Sequence, residues 1–177
     1  MKKYIILALL ISPLFCFSQN KGEVSFWGGQ IGILEGKIYN EINFSTLFSL
    51  KTSIGLVGGI DNSDFFLSSK IELNPKWNYN KNKRFSNNKN ILYNSSNYIS
   101  LNTSYTPKWS TLDDYKDRDI EKISIIPTFG IKRNFNKNIN YEFFFGIGYE
   151  RFLNTKTINS KENKLGIQLG ALIGFDL

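Results

Sequence analysis

Leu165-Gly166-Ile167-Gln168-Leu169-Gly170-Ala171-Leu172-Ile173-Gly174-Phe175-Asp176-Leu177 is the stretch on which the reading of the fold turns. Leu165, Ile167, Leu169, Ala171, Ile173, Phe175 and Leu177 share one parity, while Gly166, Gln168, Gly170, Gly174 and Asp176 take the other; Leu172 alone departs. Side chains alternate between the two faces of a strand, so this is a strand with one apolar face and one small, polar face.

The same alternation recurs upstream. Tyr141, Phe143, Phe145, Ile147 and Tyr149 share a face, opposite Glu142, Phe144, Gly146, Gly148 and Glu150. Ile123, Ile125, Pro127, Phe129 and Ile131 oppose Ser124, Thr128, Gly130 and Lys132, and Ile99, Leu101 and Tyr105 oppose Ser100, Asn102, Ser104 and Thr106. Phe65, Leu67, Ile71, Leu73, Trp77 and Tyr79 oppose Lys70, Glu72, Asn74, Lys76 and Asn78. Nearer the start, Phe48, Leu50, Ile54 and Leu56 define one strand, and Ile38, Ile42 and Phe44 another. Trp27, Ile31 and Ile33 have the opposite parity, which places a turn at Glu35-Gly36-Lys37. The expectation is eight strands near 23–34, 37–45, 48–59, 65–79, 97–107, 121–134, 139–152 and 164–177.

Eight is an even number, so the chain enters and leaves an up-and-down barrel on one side. The long connections 107–120 and 154–163 then face away from the termini, while Thr46-Leu47 and Asn136-Lys137-Asn138 are short turns beside them. Asn80 to Ser96 is too long for a turn of that second kind, and alternation offers no reason for it. Its basic residues, Lys81, Lys83, Arg84 and Lys89, read as a solvated or partly disordered connection, with contact to lipid phosphates or nucleic acid as the alternative.

Alternation alone does not say which face points outward. Three features favour a membrane barrel with its apolar face toward lipid. Lys70, Glu72, Lys132, Glu142 and Glu150 lie beside Gly and Ser on the polar face, a set that can pair charges within a narrow lumen. Aromatic residues recur near strand ends at Trp27, Tyr39, Trp77, Tyr79, Tyr98, Trp109, Tyr141 and Phe152, which suits the two bilayer interfaces. The final strand carries a polar residue, a glycine two later and hydrophobic residues beyond, a pattern that resembles the C-terminal assembly signal of outer-membrane barrels. If the apolar face meets lipid, Ile147→Arg destabilises by roughly 2–4 kcal/mol, whereas Gly148→Ser, on the other face, is tolerated. The opposite facing, a soluble periplasmic lipocalin-like barrel holding an apolar ligand, is the alternative.

The 177-residue chain has the size of one domain, with 41% hydrophobic and 15% aromatic residues and a formal charge of +7. Lys2 and Lys3 precede an apolar run from Tyr4 to Phe15, and Cys16 and Ser18 sit where a signal peptidase needs small residues. We therefore read 1–18 as a cleaved signal peptide and 19–177 as the barrel. Basic and acidic residues interleave along most of the chain, so no nucleic-acid partner is expected.

Chemistry-bearing constellations are sparse. The chain has no histidine, which removes the usual Ser-His nucleophile and His-ligated metal site. Cys16, its one cysteine, falls in the signal. Glu142 and Glu150 are eight residues apart on one strand, too far to act on one bond. Lys70 and Glu72 read as a lumen ion pair. Asp113-Asp114-Tyr115-Lys116-Asp117-Arg118-Asp119 lacks the glycine and final glutamate of a calcium loop. No catalytic, cofactor-binding or metal-ligating residue is assigned, and no enzyme activity or cofactor is expected.

The whole mature chain resembles the small outer-membrane barrels of the OmpA-transmembrane-domain and OmpX type. Its Asn- and Lys-rich usage, as in Pro75-Lys76-Trp77-Asn78-Tyr79-Asn80-Lys81-Asn82-Lys83-Arg84, is most similar to uncharacterised barrel proteins of Bacteroidota. The resemblance implies an all-β, eight-stranded antiparallel up-and-down transmembrane β-barrel in the outer membrane of the cell envelope, with lipid and the barrel-assembly machinery as partners. It brings no catalytic residue. The expected role is structural or surface interaction around a filled lumen, with extracellular ligands meeting loops 107–120 and 154–163; a narrow pore is the alternative.

Overall fold

Lys164 to Asp176 does run as one extended strand, paired along one edge nearly throughout and along the other from Leu172 to Asp176. The computed structural model describes residues 25–61, 64–107, 121–135, 138–153 and 163–177. Eight antiparallel strands form a closed barrel in chain order: β1 (Ser25–Gly32), β2 (Glu35–Asn43), β3 (Phe48–Asp61), β4 (Asp64–Trp77), β5 (Asn97–Thr106), β6 (Lys122–Asn134), β7 (Ile139–Phe152) and β8 (Asn163–Asp176). Closure comes from β1 against β8, with Gly28 opposite Asp176 and Gly32 opposite Leu172. Each strand thereby has a neighbour on both sides, which closes the sheet, although β1 covers β8 only from Leu172 to Asp176. The expected signal segment, Trp109, the Asp113–Asp119 stretch and nearly all of loops 107–120 and 154–163 lie outside the described residues.

The turn expected at Glu35-Gly36-Lys37 is instead formed by Ile33 and Leu34, and all three of those residues belong to β2. Directly paired residues share a face, and a two-residue connection pairs odd with even numbers, as in Ile31 with Gly36. The parity change was real but its position was not, because the exposed Ile33 and Leu34 continue the apolar pattern into the turn. The two-residue step between β3 and β4 reverses parity again, as in Leu56 with Ser69.

The apolar face is outward. Trp27 is 60% exposed and Leu169 80%, and Ile38, Ile54, Ile71, Leu101, Phe129, Ile147 and Ile173 are all exposed. Inside, the described apolar residues that are fully buried are Phe26, Tyr39, Tyr98, Ile126, Phe144 and Leu172, against a much longer roll of buried Ser, Asn, Lys and Glu. Leu172, which broke the alternation, does so by facing inward.

Trp27, Trp77, Tyr79 and Tyr141 line the outer wall at the end where the termini lie. Phe48 stacks on Trp77 with centroids 6.4 Å apart, and Tyr79 reaches Phe129 at 6.4 Å. Tyr105 and Tyr149 are exposed at the far end. Tyr39 and Tyr98, expected in this outer belt, are instead 1% and 2% exposed inside the barrel, and Phe152 turns to the inner rim, where Lys122 and Lys164 lie over its ring. Strand ends alone did not reveal this; parity assigns Tyr39 to the face of Glu41, and Tyr98 to that of Ser100.

Pro75 and Pro127 lie in strands and lack the N–H a ladder needs. The β4–β5 ladder omits pairs at Asn74 and Pro75, and the β6–β7 ladder omits those at Ile126 and Pro127. Beside the second gap, a Cβ on Gly148 would lie 2.4 Å from the Ile125 carbonyl oxygen and 2.6 Å from Ile126 Cα. Gly148→Ser is therefore not a tolerated change: the inner face there is packed against backbone, which facing alone did not show.

Candidate functional site

Inward parity brings charges from six strands to a common centre. Glu142 of β7 is 2% exposed and accepts four hydrogen bonds: from Gln30 Nε2 (2.8 Å), Lys51 Nζ (2.8 Å), Lys76 Nζ (2.9 Å) and Tyr98 OH (2.6 Å). Both of its oxygens are occupied, each by one lysine and one neutral donor. Below it, toward the termini, Lys132 Nζ donates to Asp176 Oδ1 (2.9 Å), as does Tyr39 OH, and Asn134 Nδ2 donates to Oδ2 (2.9 Å). Glu41 Oε1 accepts from Ser49 Oγ (2.7 Å), and its Oε2 lies 3.9 Å from Lys76 Nζ. Lys51, Lys76 and Lys132 thus face Glu41, Glu142 and Asp176, a charge-neutral layer.

A second layer lies nearer the far end. Glu72 accepts from Lys37 (3.0 Å), Lys70 (2.9 Å) and Ser53 (2.9 Å), and Lys37 also reaches Glu35 at 2.6 Å. Lys70 and Glu72 are therefore the ion pair expected from their spacing, and the layer is again neutral. The space left between the layers is about 10 Å³, at the lower limit for a single water. Two of the amides around it, Asn74 and Gln168, present buried oxygens without a protein donor.

Aromatic rings complete the filling, and glycine makes room for them. Tyr39 lies opposite Gly28, Tyr98 opposite Gly130 and Phe144 opposite Gly170. A Cβ at those glycines would fall 2.5 Å, 2.1 Å and 2.1 Å from the facing ring, so each ring lies flat across its neighbour strand. Lys51 then sits 4.0 Å above the Tyr39 ring, and Lys76 4.2 Å above that of Tyr98. Desolvated ammonium groups gain from such faces as well as from their carboxylates.

The connection between β4 and β5, which alternation left unexplained, closes the terminal end. A six-residue helix, α1 (Lys81–Ser86), is followed by a 3-10 turn at Leu92–Asn94. Tyr93 adopts φ 47°, a left-handed conformation that an aromatic residue rarely takes, and Asn94 follows at φ 58°. This bend sets the Tyr93 ring edge-on to Phe26 at 5.2 Å and drives Asn94 into the barrel. There Asn94 Nδ2 donates to Glu41 Oε1 (2.6 Å) and Asn43 Oδ1 (2.7 Å), while its Oδ1 accepts from Lys81 Nζ (2.6 Å). Ser96 Oγ donates to Asn78 Oδ1 (2.7 Å), and both residues are buried.

The solvated reading of this segment is thus corrected: it is a plug continuous with the lumen network, and Lys81 is buried. Burial holds the Lys81 ammonium below the usual lysine range; Glu41 pulls it back upward and Lys132 lowers it further. Lys83, Lys89 and the half-buried Arg84 remain on the outer side.

The described residues at the far end fill the interior less tightly. Val57, Ser104, Thr106 and Ser124 line a recess there with Lys122 and Glu150, which pair at 3.1 Å. Glu150 thus stands apart from the Glu142 centre. Of the inward residues expected from sequence, Lys70, Glu72, Asn74, Lys132, Glu142, Phe144 and Gln168 all face the lumen. Glu41, Lys51 and Asn94 were not singled out. Parity was available for the first two, whereas nothing local marks Asn94. The deep carboxylates are held by lysines, amides and hydroxyls, an arrangement suited to rigidity rather than proton transfer. Comparison with family models, curated proteins and solved structures finds no match to this chain.

Proposed function

We propose that this chain is a non-enzymatic outer-membrane protein whose barrel is a rigid, closed anchor and whose far end, opposite the termini, is the surface that meets ligands or partner molecules. The observation that carries the reading is the facing of the two surfaces. A soluble lipocalin-like barrel would turn its apolar residues inward, whereas here Trp27, Ile38, Ile147 and Leu169 lie outside and the Glu142 network lies inside. Exposed apolar area on that scale is stable against hydrocarbon and a liability in water. Strands β3, β4, β7 and β8, each of 14 residues, are long enough to cross a bilayer at a tilt.

The plug and the two neutral layers favour the filled lumen over the narrow-pore alternative. An eight-stranded barrel has an interior that side chains can fill. Outer-membrane lipid and the assembly machinery are then the partners of the wall and of the final strand, and loops 107–120 and 154–163 the place of extracellular contact.

Two measurements test this. In cell fractions, the mature protein should stay in the outer-membrane pellet after carbonate washing; release into the soluble fraction would overturn the proposal. Purified protein in planar bilayers should show no large, steady conductance, and stable openings of porin size would replace the filled-lumen reading with the pore.

A further inference from the structure

The plug leaves two guanidinium groups on the outer rim that the lumen network does not use. Arg84 comes from α1 and Arg133 from the last turn of β6, at an outward-facing position opposite Tyr141. Arg84 is held by Nε to Ser95 O (2.9 Å) and Nη2 to Asn90 O (2.8 Å). Both acceptor residues also touch Asn134, the neighbour of Arg133: its N–H donates to Ser95 Oγ (3.3 Å), and its carbonyl accepts from Asn90 Nδ2 (3.5 Å). Arg133 donates through Nη1 to Lys132 O (2.7 Å) and through Nη2 to Asn97 Oδ1. Asn97 is tied in turn to Asn80 Oδ1 (2.7 Å) and Tyr79 OH (3.3 Å).

The partners of these guanidiniums are neutral carbonyl and amide oxygens, and no carboxylate pairs with either among the described residues. A guanidinium carries five N–H donors, so two bonds apiece leave three on each group. The two groups are tied to one network through Asn90, Ser95 and Asn134, and Tyr141 is the cross-strand partner of Arg133 while Tyr79 bonds to Asn97. From Asn78 to Asn97 the chain has Lys81, Lys83, Arg84 and Lys89 and no acidic residue. Two immobilised like charges with unused donors, half-exposed beside an outward aromatic band, are complementary to an oxyanion at the depth of a bilayer headgroup.

Building on the membrane reading above, we infer that Arg84 and Arg133 together bind the phosphate of an anionic phospholipid headgroup in the leaflet nearest the chain termini. The lipid's acyl chains would lie along the outer wall beside Tyr79, Phe129 and Tyr141, whose rings are exposed there. The forked, planar geometry of arginine matches two phosphate oxygens at once, which a lysine in either place would not do.

The test uses the full mature chain carrying Trp109→Phe, so that emission comes from Trp27 and Trp77 on the terminal side. The protein is folded into phosphatidylcholine vesicles containing either brominated phosphatidylglycerol or brominated phosphatidylcholine at equal mole fraction. Insertion is scored separately by the shift between folded and unfolded bands on a gel. The expected result is preferential quenching by the anionic lipid, corresponding to an association roughly thirtyfold stronger for two arginines. In Arg84→Gln/Arg133→Gln most of the preference should be lost, leaving only the weaker attraction of the exposed Lys83 and Lys89. Lys164→Gln, which removes a charge from the opposite rim, should keep it.

Insertion without any anionic preference, or a double variant that retains the preference, would overturn the inference while leaving the membrane reading intact. Failure of the parent protein to insert would overturn both. If glycerol phosphate in solution removed the preference at a concentration equal to the lipid, the site would belong to free phosphate and the lipid assignment would fall. Should the double variant fold poorly, Arg84→Gln and Arg133→Gln alone should each lose a substantial part of the preference; two unchanged single variants would refute the site.

Discussion

Replacing Glu142 by Gln keeps the volume and shape of the side chain and removes one charge from the centre of the lumen. Lys51 and Lys76, each within 2.9 Å of the carboxylate, then become adjacent like charges with no other carboxylate in hydrogen-bond contact. The amide can accept through one oxygen only, so of the four donors aimed at this position at least one lysine and one neutral donor lose their acceptor. Removing one partner of a buried ion pair costs about 3–5 kcal/mol. An independent bound agrees: releasing a proton from one lysine at neutral pH, starting from an ordinary lysine pKa, costs about 4.6 kcal/mol. We therefore expect Glu142→Gln to lower the stability of the folded barrel by about 4 kcal/mol, measured by reversible urea unfolding from vesicles. Adding Lys51→Met should return part of that loss by restoring charge balance, so the double variant should be more stable than Glu142→Gln alone. A cost below about 1 kcal/mol, or a double variant in which the two losses simply add, would refute the view that this cluster holds the lumen together.

Three further outcomes can be checked on the same folded protein. Ile147→Arg, on the outer face, should cost roughly 2–4 kcal/mol in vesicle unfolding. Gly148→Ser should also destabilise, by about 1–3 kcal/mol, because its Cβ would press on the Ile125 carbonyl; a neutral result would show that the two strands can separate there. Asn94→Ala removes the link between Lys81 and Glu41 and should cost about 1–3 kcal/mol, with hydrogen exchange rising across 81–96 while β7 and β8 stay protected. Because burial lowers the Lys81 pKa, the docked plug binds fewer protons than the released one only between that lowered value and about 10.5. Docking should accordingly strengthen as pH rises through this window and be flat below it, read as the rate of proteolytic cleavage after Lys83; cleavage that accelerates with pH, after correction for protease activity, would contradict the assignment.

Alternation alone determined the class of fold and which residues share a face, and the charges on one face then indicated which of the two is inward. A side-chain period of two in Leu165–Leu177 or Tyr141–Glu150 fits an extended strand, and seven inward residues could be named from parity before any neighbour was known. The even count and the long and short connections led to an up-and-down barrel, because antiparallel neighbours in chain order are the simplest way to pair such strands. Pairing between Lys70 and Glu72 was legible too, since residues two apart share one face of one strand.

Only the tertiary structure decided what meets across the lumen. Glu142 collects Gln30, Lys51, Lys76 and Tyr98 from four other strands, and those distances depend on closure and register, which a one-residue shift would destroy. Parity turns Tyr39 and Tyr98 inward, but the room for their rings comes from Gly28 and Gly130 opposite them, a cross-strand relation that strand-end position does not encode. Gly148 is intolerant for the same reason: the obstruction belongs to the backbone of another strand. The segment from Asn80 to Ser96 has no period to read, since its order comes from Asn94, Lys81 and Ser96 finding partners inside a barrel already closed. Local periodicity reports which face a residue occupies, whereas the charge partners, the plug and the rim arginines arise from contacts between residues far apart in the chain.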